Sequence, residues 1–165
     1  MSRLAADGEL VRVRKGLYWK GPKTRFGMPL PRPIEIALEV AGPGAGPAGV
    51  SAAHTLGLTT QVPAVEQVAV AGRTPTPLPG VRFVSRSIER RVAALRPLEV
   101  ALIEVLRGGP TAVEVPWPTV IDTARRLAAN GEIRPAVIET QIGHEHHIDA
   151  RQRWAELALT ETVAA

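Results

Sequence analysis

The chain has 165 residues, 45% of them hydrophobic but only 4% aromatic, enough apolar material for a domain cored by Ala, Val, Leu and Ile. It has no cysteine, which excludes disulfides, thiolate metal sites and a cysteine nucleophile. Its formal net charge of +4 is unevenly spread: residues 1–32 carry eight Lys/Arg and two acids, a net of +6, leaving −2 for residues 33–165.

A basic arm on a nearly neutral body points to an anionic partner, with nucleic acid the first candidate. No apolar signal segment follows Met1, and no run approaches the ~20 apolar residues of a membrane helix, so a cytoplasmic location without a membrane partner is expected. In chain order, residues 3–6 read as the last turn of a helix that Asp7–Gly8 stops. The stretch "ELVRVRKGLYWK" then alternates, with Lys15–Gly16 as a turn, and predicts a β-hairpin. Arg12, Arg14 and Lys15 fall at its tip, with Lys20 and Lys23 just beyond and Arg3 on the helix tail. Arg and Lys in such a place suit phosphates, as in the wing of a winged helix. The octet "RLAADGEL" at 3–10 recurs as "RLAANGEI" at 126–133. The helix stop is therefore generic, and the wing reading rests on the hairpin after it.

Pro29, Pro31 and Pro33 alternate in "GPKTRFGMPLPRP", an extended linker. Beyond it, "IEIALEVA" predicts a short helix over 34–41, "GPGAGPAG" a break, and Ser51 a cap for a helix through "AAHTLGL". "VEQVAVAG" and "VRFVS" predict two strands, separated by the Pro-rich "RTPTPLPG". Pro97 opens a helix with Leu98, Ala101, Leu102, Val105 and Leu106 on one face and Gly108 as its stop. Further helices are predicted after "VPWP", with a stripe of Val120, Ala124, Leu127 and Ala128, and at about 135–142 and 148–160. The fold class is α+β, with a mostly helical C-terminal half.

Beyond the hairpin and linker, "VSAAHTLGLTTQVPAVEQVAVAG" carries Ala53, Leu56–Gly57–Leu58, Thr59 and Gln61–Val62–Pro63 ahead of a strand. Together these segments resemble the AbiEi-type antitoxins of bacterial abortive-infection (type IV) toxin–antitoxin systems, over roughly residues 3–107. The resemblance implies a partial winged helix-turn-helix over 1–27, a linker over 28–33 and an antitoxin C-terminal domain over 34–165. It also implies an autoregulator that binds its own promoter DNA and opposes an AbiEii-like nucleotidyltransferase toxin, with no catalytic reaction of its own. The family's helices ahead of the wing, including most of the recognition helix, have no counterpart in this sequence, and three explanations stand: a start codon upstream of Met1, a degraded gene remnant, or a truncated form that keeps only the body, with a misplaced start or a fragment expected. On the residues alone, Gln61–Val62–Pro63 reads as chain-turning structure: "LGL" docks a helix end and Pro63 sets the entry to a strand.

Two other readings remain open. The hairpin can serve a protein–protein interaction module without DNA binding. The segment "GHEHHIDA" invites a metalloenzyme, because one helix would bring His144 and His147 to one face. It lacks the H-E-x-x-H spacing and a second ligand-bearing segment, so Glu145 and Asp149 read instead as acids at a helix start. There is no P-loop, no G-x-G-x-x-G and no G-x-S-x-G, and neither a cofactor nor a metal is expected.

Overall fold

A computed structural model describes residues 10–22, 25 and 27–157. Outside them lie the expected helix tail at 3–6, Arg3, Lys23 and any continuation of the last helix past Leu157. The fold is α+β. A hairpin of β1 (Val11–Arg14) and β2 (Leu17–Trp19) leads to α1 (Pro33–Ala41), β3 (Gly46–Pro47), α2 (Gly49–Thr55), β4 (Glu66–Ala71) and β5 (Val81–Arg86). Helices α3 (Glu89–Val92), α4 (Pro97–Gly108), α5 (Trp117–Ala129), α6 (Pro135–His144) and α7 (Ile148–Leu157) follow, with a 3₁₀ turn at Gly109–Ala112 after α4.

The second sheet has the order β3-β4-β5 and lies between two layers of helix. The alternation of β4 decides this. Val68 and Val70 face α1 and join Ile34, Ala37 and Ala41, whereas Ala69 faces α2 and α4 in the larger helical core. A strand buried on both faces reads as an unbroken apolar run, as "VAVA" does. β4 and β5 are parallel, pairing Glu66 with Val81 through to Ala71 with Arg86. Parallel neighbours usually need a helical crossover. Here the Pro-rich segment 72–80 makes the crossover without one. β3 adds to β4 in antiparallel sense, although "GPGAGPAG" was expected only to break the chain. Gly46 permits it: a Cβ there would stand 2.5 Å from Val100 Cβ on α4.

Two helix assignments change. α2 begins at Gly49, so Ser51 lies inside the helix and does not cap it. Its hydroxyl instead donates to Glu66 (2.6 Å) and accepts from the Gln67 N–H (2.9 Å), tying α2 to β4. α4 keeps its predicted start at Pro97 but runs through Gly108, and Gly109, at φ 68°, ends it. Nor is it amphipathic. Every residue from Glu99 to Leu106 is buried, while Leu98 is only half-buried. The sheet and α2 cover one side of α4, and α7 and α6 the other.

Two carboxylates are thereby carried into the core, and arginines from other elements meet them. Glu99 accepts from Arg134 Nη2 and Nε (both 2.7 Å) and from the Arg96 N–H (2.7 Å). Glu104 accepts from Arg86 Nη2 (2.7 Å) of β5 and Arg90 Nη1 (2.8 Å) of α3. Fully buried Arg90 also donates through Nε to Glu145 (2.7 Å), which takes a second bond from Arg107 Nη1 (2.6 Å). The cluster of Arg86, Arg90, Arg107, Glu104 and Glu145 links the sheet to the helical half.

Candidate nucleic-acid interface

The hairpin forms where the alternating stretch places it. Val11 pairs with Trp19, Arg12 with Tyr18 and Arg14 with Leu17, and a bulge at Val13 shifts the register. Gly16 turns the tip at φ 83°, a left-handed conformation that a side chain would strain. Arg12 and Tyr18 share the exposed face, while Val11, Leu17 and Trp19 are half-buried on the other. Trp19 Nε1 donates to the Pro29 carbonyl (3.0 Å), drawing the linker back along the hairpin. The Gly21 N–H meets Met28 Sδ at 3.1 Å in the same fold-back.

Of the predicted phosphate contacts, Arg12, Lys15 and Lys20 are exposed around the tip and outer face. Arg14, just past the bulge, is half-buried and lines a cleft with Leu30 and Pro31 of the linker. No acidic residue occurs between Leu10 and Lys20, so this face presents one sign of charge. Arg3 and Lys23 fall outside the described residues. Exposed cations on a β-ribbon can hold phosphate oxygens by charge and hydrogen bonding without reading base edges.

The "LGL" of "LGLTTQVP" docks as predicted, and the strand after Pro63 begins at Glu66. Leu56 and Leu58 are buried, and Gly57 turns between them at φ 71°. Glu114 completes the turn. Its carboxylate accepts from the Thr60 N–H (2.8 Å), Thr60 Oγ1 (3.0 Å) and Gln61 Nε2 (2.7 Å). The Thr60 backbone bond first, then the side chains of Thr59, Gln61 and Thr60, pull this exposed carboxyl down to about 2. Glu114 lies 54 positions from Thr60, and no local pattern in the sequence marks it.

The histidine segment is corrected. α6 ends at His144, and Glu145 leaves the helix with ψ 126°, so His144 and His147 do not share a helical face. His147 Nδ1 accepts the Ala150 N–H (3.3 Å) at the start of α7. Glu145 is not a solvated acid at a helix start but the buried partner of Arg90 and Arg107. Among the described residues, no three His, Cys, Asp or Glu side chains are grouped to hold a metal ion. No described helix is long and apolar enough to cross a membrane.

No protein-family model and no curated protein matches this sequence. Among solved structures, the chain is similar to the crystal structure of the RV2827C protein from Mycobacterium tuberculosis, at 20% identity and a TM-score of 0.47. The alignment covers 94% of this chain and 62% of that one, so the chain spans less than two thirds of its relative's length.

Proposed function

We propose that the chain is a DNA-binding regulator of the antitoxin type, gripping phosphates through its basic hairpin. One observation carries the DNA contact. Arg12, Lys15 and Lys20 are exposed on a hairpin that has no acid between Leu10 and Lys20. Arg14 contributes from its half-buried position. Such contacts hold the duplex with little sequence preference.

The antitoxin role rests on the resemblance of "AAHTLGLTTQVP" and the hairpin to AbiEi-type proteins. The implied partners are promoter DNA and a nucleotidyltransferase-like toxin, in the bacterial cytoplasm, with no reaction catalysed by the chain itself. Co-expression with the toxin of its operon should restore growth, and continued toxicity would remove that half of the reading.

The DNA half is tested by fluorescence anisotropy against a duplex over a range of salt. Affinity should fall linearly on logarithmic axes. Arg12→Ala with Lys15→Ala should reduce the slope by about 2, one unit for each lost phosphate contact. Unchanged affinity in the double variant would instead favour a protein-interaction module.

A further inference from the structure

A cleft of about 390 Å³ opens between the hairpin and the start of β5. Arg12 and Arg14 stand on the hairpin side, and the rest of the lining is apolar, with Pro31, Leu78, Pro79 and Val81 part of it. Among the described residues no acidic side chain lines it. The groove on the other flank of Val13 differs, because Glu35 and Glu39 of α1 line that one. An anion near the hairpin is therefore directed to one flank only.

Arg14 supplies the second observation. Its Nη1 is shielded from solvent and has no hydrogen-bond partner among the described residues. A desolvated guanidinium N–H without an acceptor is costly, so Arg14, which lines the cleft, gains by turning Nη1 into it where an anionic oxygen can accept from it. The prolines and Leu78 offer flat apolar contact to whatever carries that anion. Phosphate joined to a flat apolar body is the chemistry of a nucleoside phosphate. In a duplex the base stays stacked and only the backbone reaches the exposed ridge of Arg12 and Lys15. To fill a recess, the base must leave the stack.

We propose that this cleft binds an unstacked nucleotide of a single strand, with its phosphate on Arg12 and Arg14 and its base over Pro31, Leu78 and Pro79. The proposal rests on the hairpin's being a nucleic-acid contact and adds the form of nucleic acid it prefers.

The test uses the full chain and a thymidine oligomer carrying one 2-aminopurine, alone and annealed to its complement. The single strand should bind more tightly than the duplex at equal salt, with a change in 2-aminopurine emission. Pro79→Glu, which sets a carboxylate on the wall away from the cationic ridge, should weaken single-strand binding about tenfold and leave duplex binding within about twofold. Pro79→Ala, which adds no charge, should retain the single-strand affinity and so controls for folding. Duplex bound as tightly as single strand, with Pro79→Glu affecting neither, would overturn the proposal and leave the duplex reading standing. Binding to neither would overturn both. Saturable binding of free thymidine monophosphate, lost in Pro79→Glu and without gain from the strand, would overturn the strand as ligand.

Discussion

Glu114 stands in solvent, yet its carboxylate gathers the N–H and hydroxyl of Thr60 and the amide of Gln61. These bonds need the ionised form. A carboxyl whose folded value is depressed contributes stability that is fully present above its unfolded value, about 4.3 for glutamate, and lost as pH falls through the folded value. For Glu114 that window runs from the ordinary glutamate range down to about 2. A ¹³C-detected titration should place the Glu114 midpoint near 2. Glu114→Gln should lower the denaturation midpoint at neutral pH, and the difference from the parent should close at the acid end. A midpoint in the ordinary glutamate range would mean that the turn at Thr59–Gln61 is held by its own backbone. The motif at Leu56–Pro63 was legible as structure from Gly57 and Pro63 alone; its clamp was not, because Glu114 lies far along the chain.

At the scale of elements, β3 depends on a glycine. Gly46 brings the strand onto α4, where Val100 Cβ, the Pro97 carbonyl and Val100 Cγ1 would lie within 2.8 Å of an added Cβ. Two of these contacts are with the first carbons of a buried side chain and one is with backbone, so none can swing aside. Gly46→Ala should destabilise by about 1–3 kcal/mol, as overpacking does, read as a lower urea midpoint with an unchanged slope. Wild-type stability in this variant would show that β3 is free to move off α4. β3 is not legible in the sequence, because glycine and proline are poor strand formers and only the neighbouring β4 makes a strand of them. β4 and β5 are legible in their β-branched alternation, but their parallel sense depends on how 72–80 returns, which no periodicity encodes. α4 was found for its capping proline and apolar content. Its all-round burial escaped because Glu99 and Glu104 look like a solvent face until Arg134, Arg86 and Arg90 reach them from other elements.

For the molecule as a whole, the ion cluster decides whether the sheet and helices unfold together. Burial pushes the Glu104 and Glu145 carboxyls up. The Arg86 hydrogen bond with the charges of Arg90 and Arg86 outweighs this at Glu104; the Arg90 hydrogen bond with the charges of Arg90 and Arg107 does so at Glu145, and both end below the ordinary value. Stability from this pair is therefore complete above the ordinary carboxyl range and lost as pH falls below it. Glu145→Ala should cost about 3–5 kcal/mol, because it strips Arg90 of a partner where water cannot replace it. In the parent, with the cluster intact, far-ultraviolet dichroism and the fluorescence of Trp117 and Trp154 should lose signal in one transition. Two separated transitions would show that the cluster does not couple the halves. The charged N-terminal arm, in contrast, was legible from composition: eight Lys/Arg in residues 1–32 pointed to the hairpin before any geometry did. The cleft beside it was not, since Leu78 and Pro79 meet Arg14 only after the crossover folds back.

Arg90 reaches Glu104 and Glu145 at once, with no exposed surface of its own. Inheritance should reflect that geometry. Loss of either glutamate leaves buried Arg90 one partner short, so such single replacements should be purged and the trio should be kept whole or exchanged together for apolar residues of matching volume. In any set of descendants of this chain, these three positions should change as one unit, while the exposed ridge at Arg12 and Lys15 drifts between arginine and lysine.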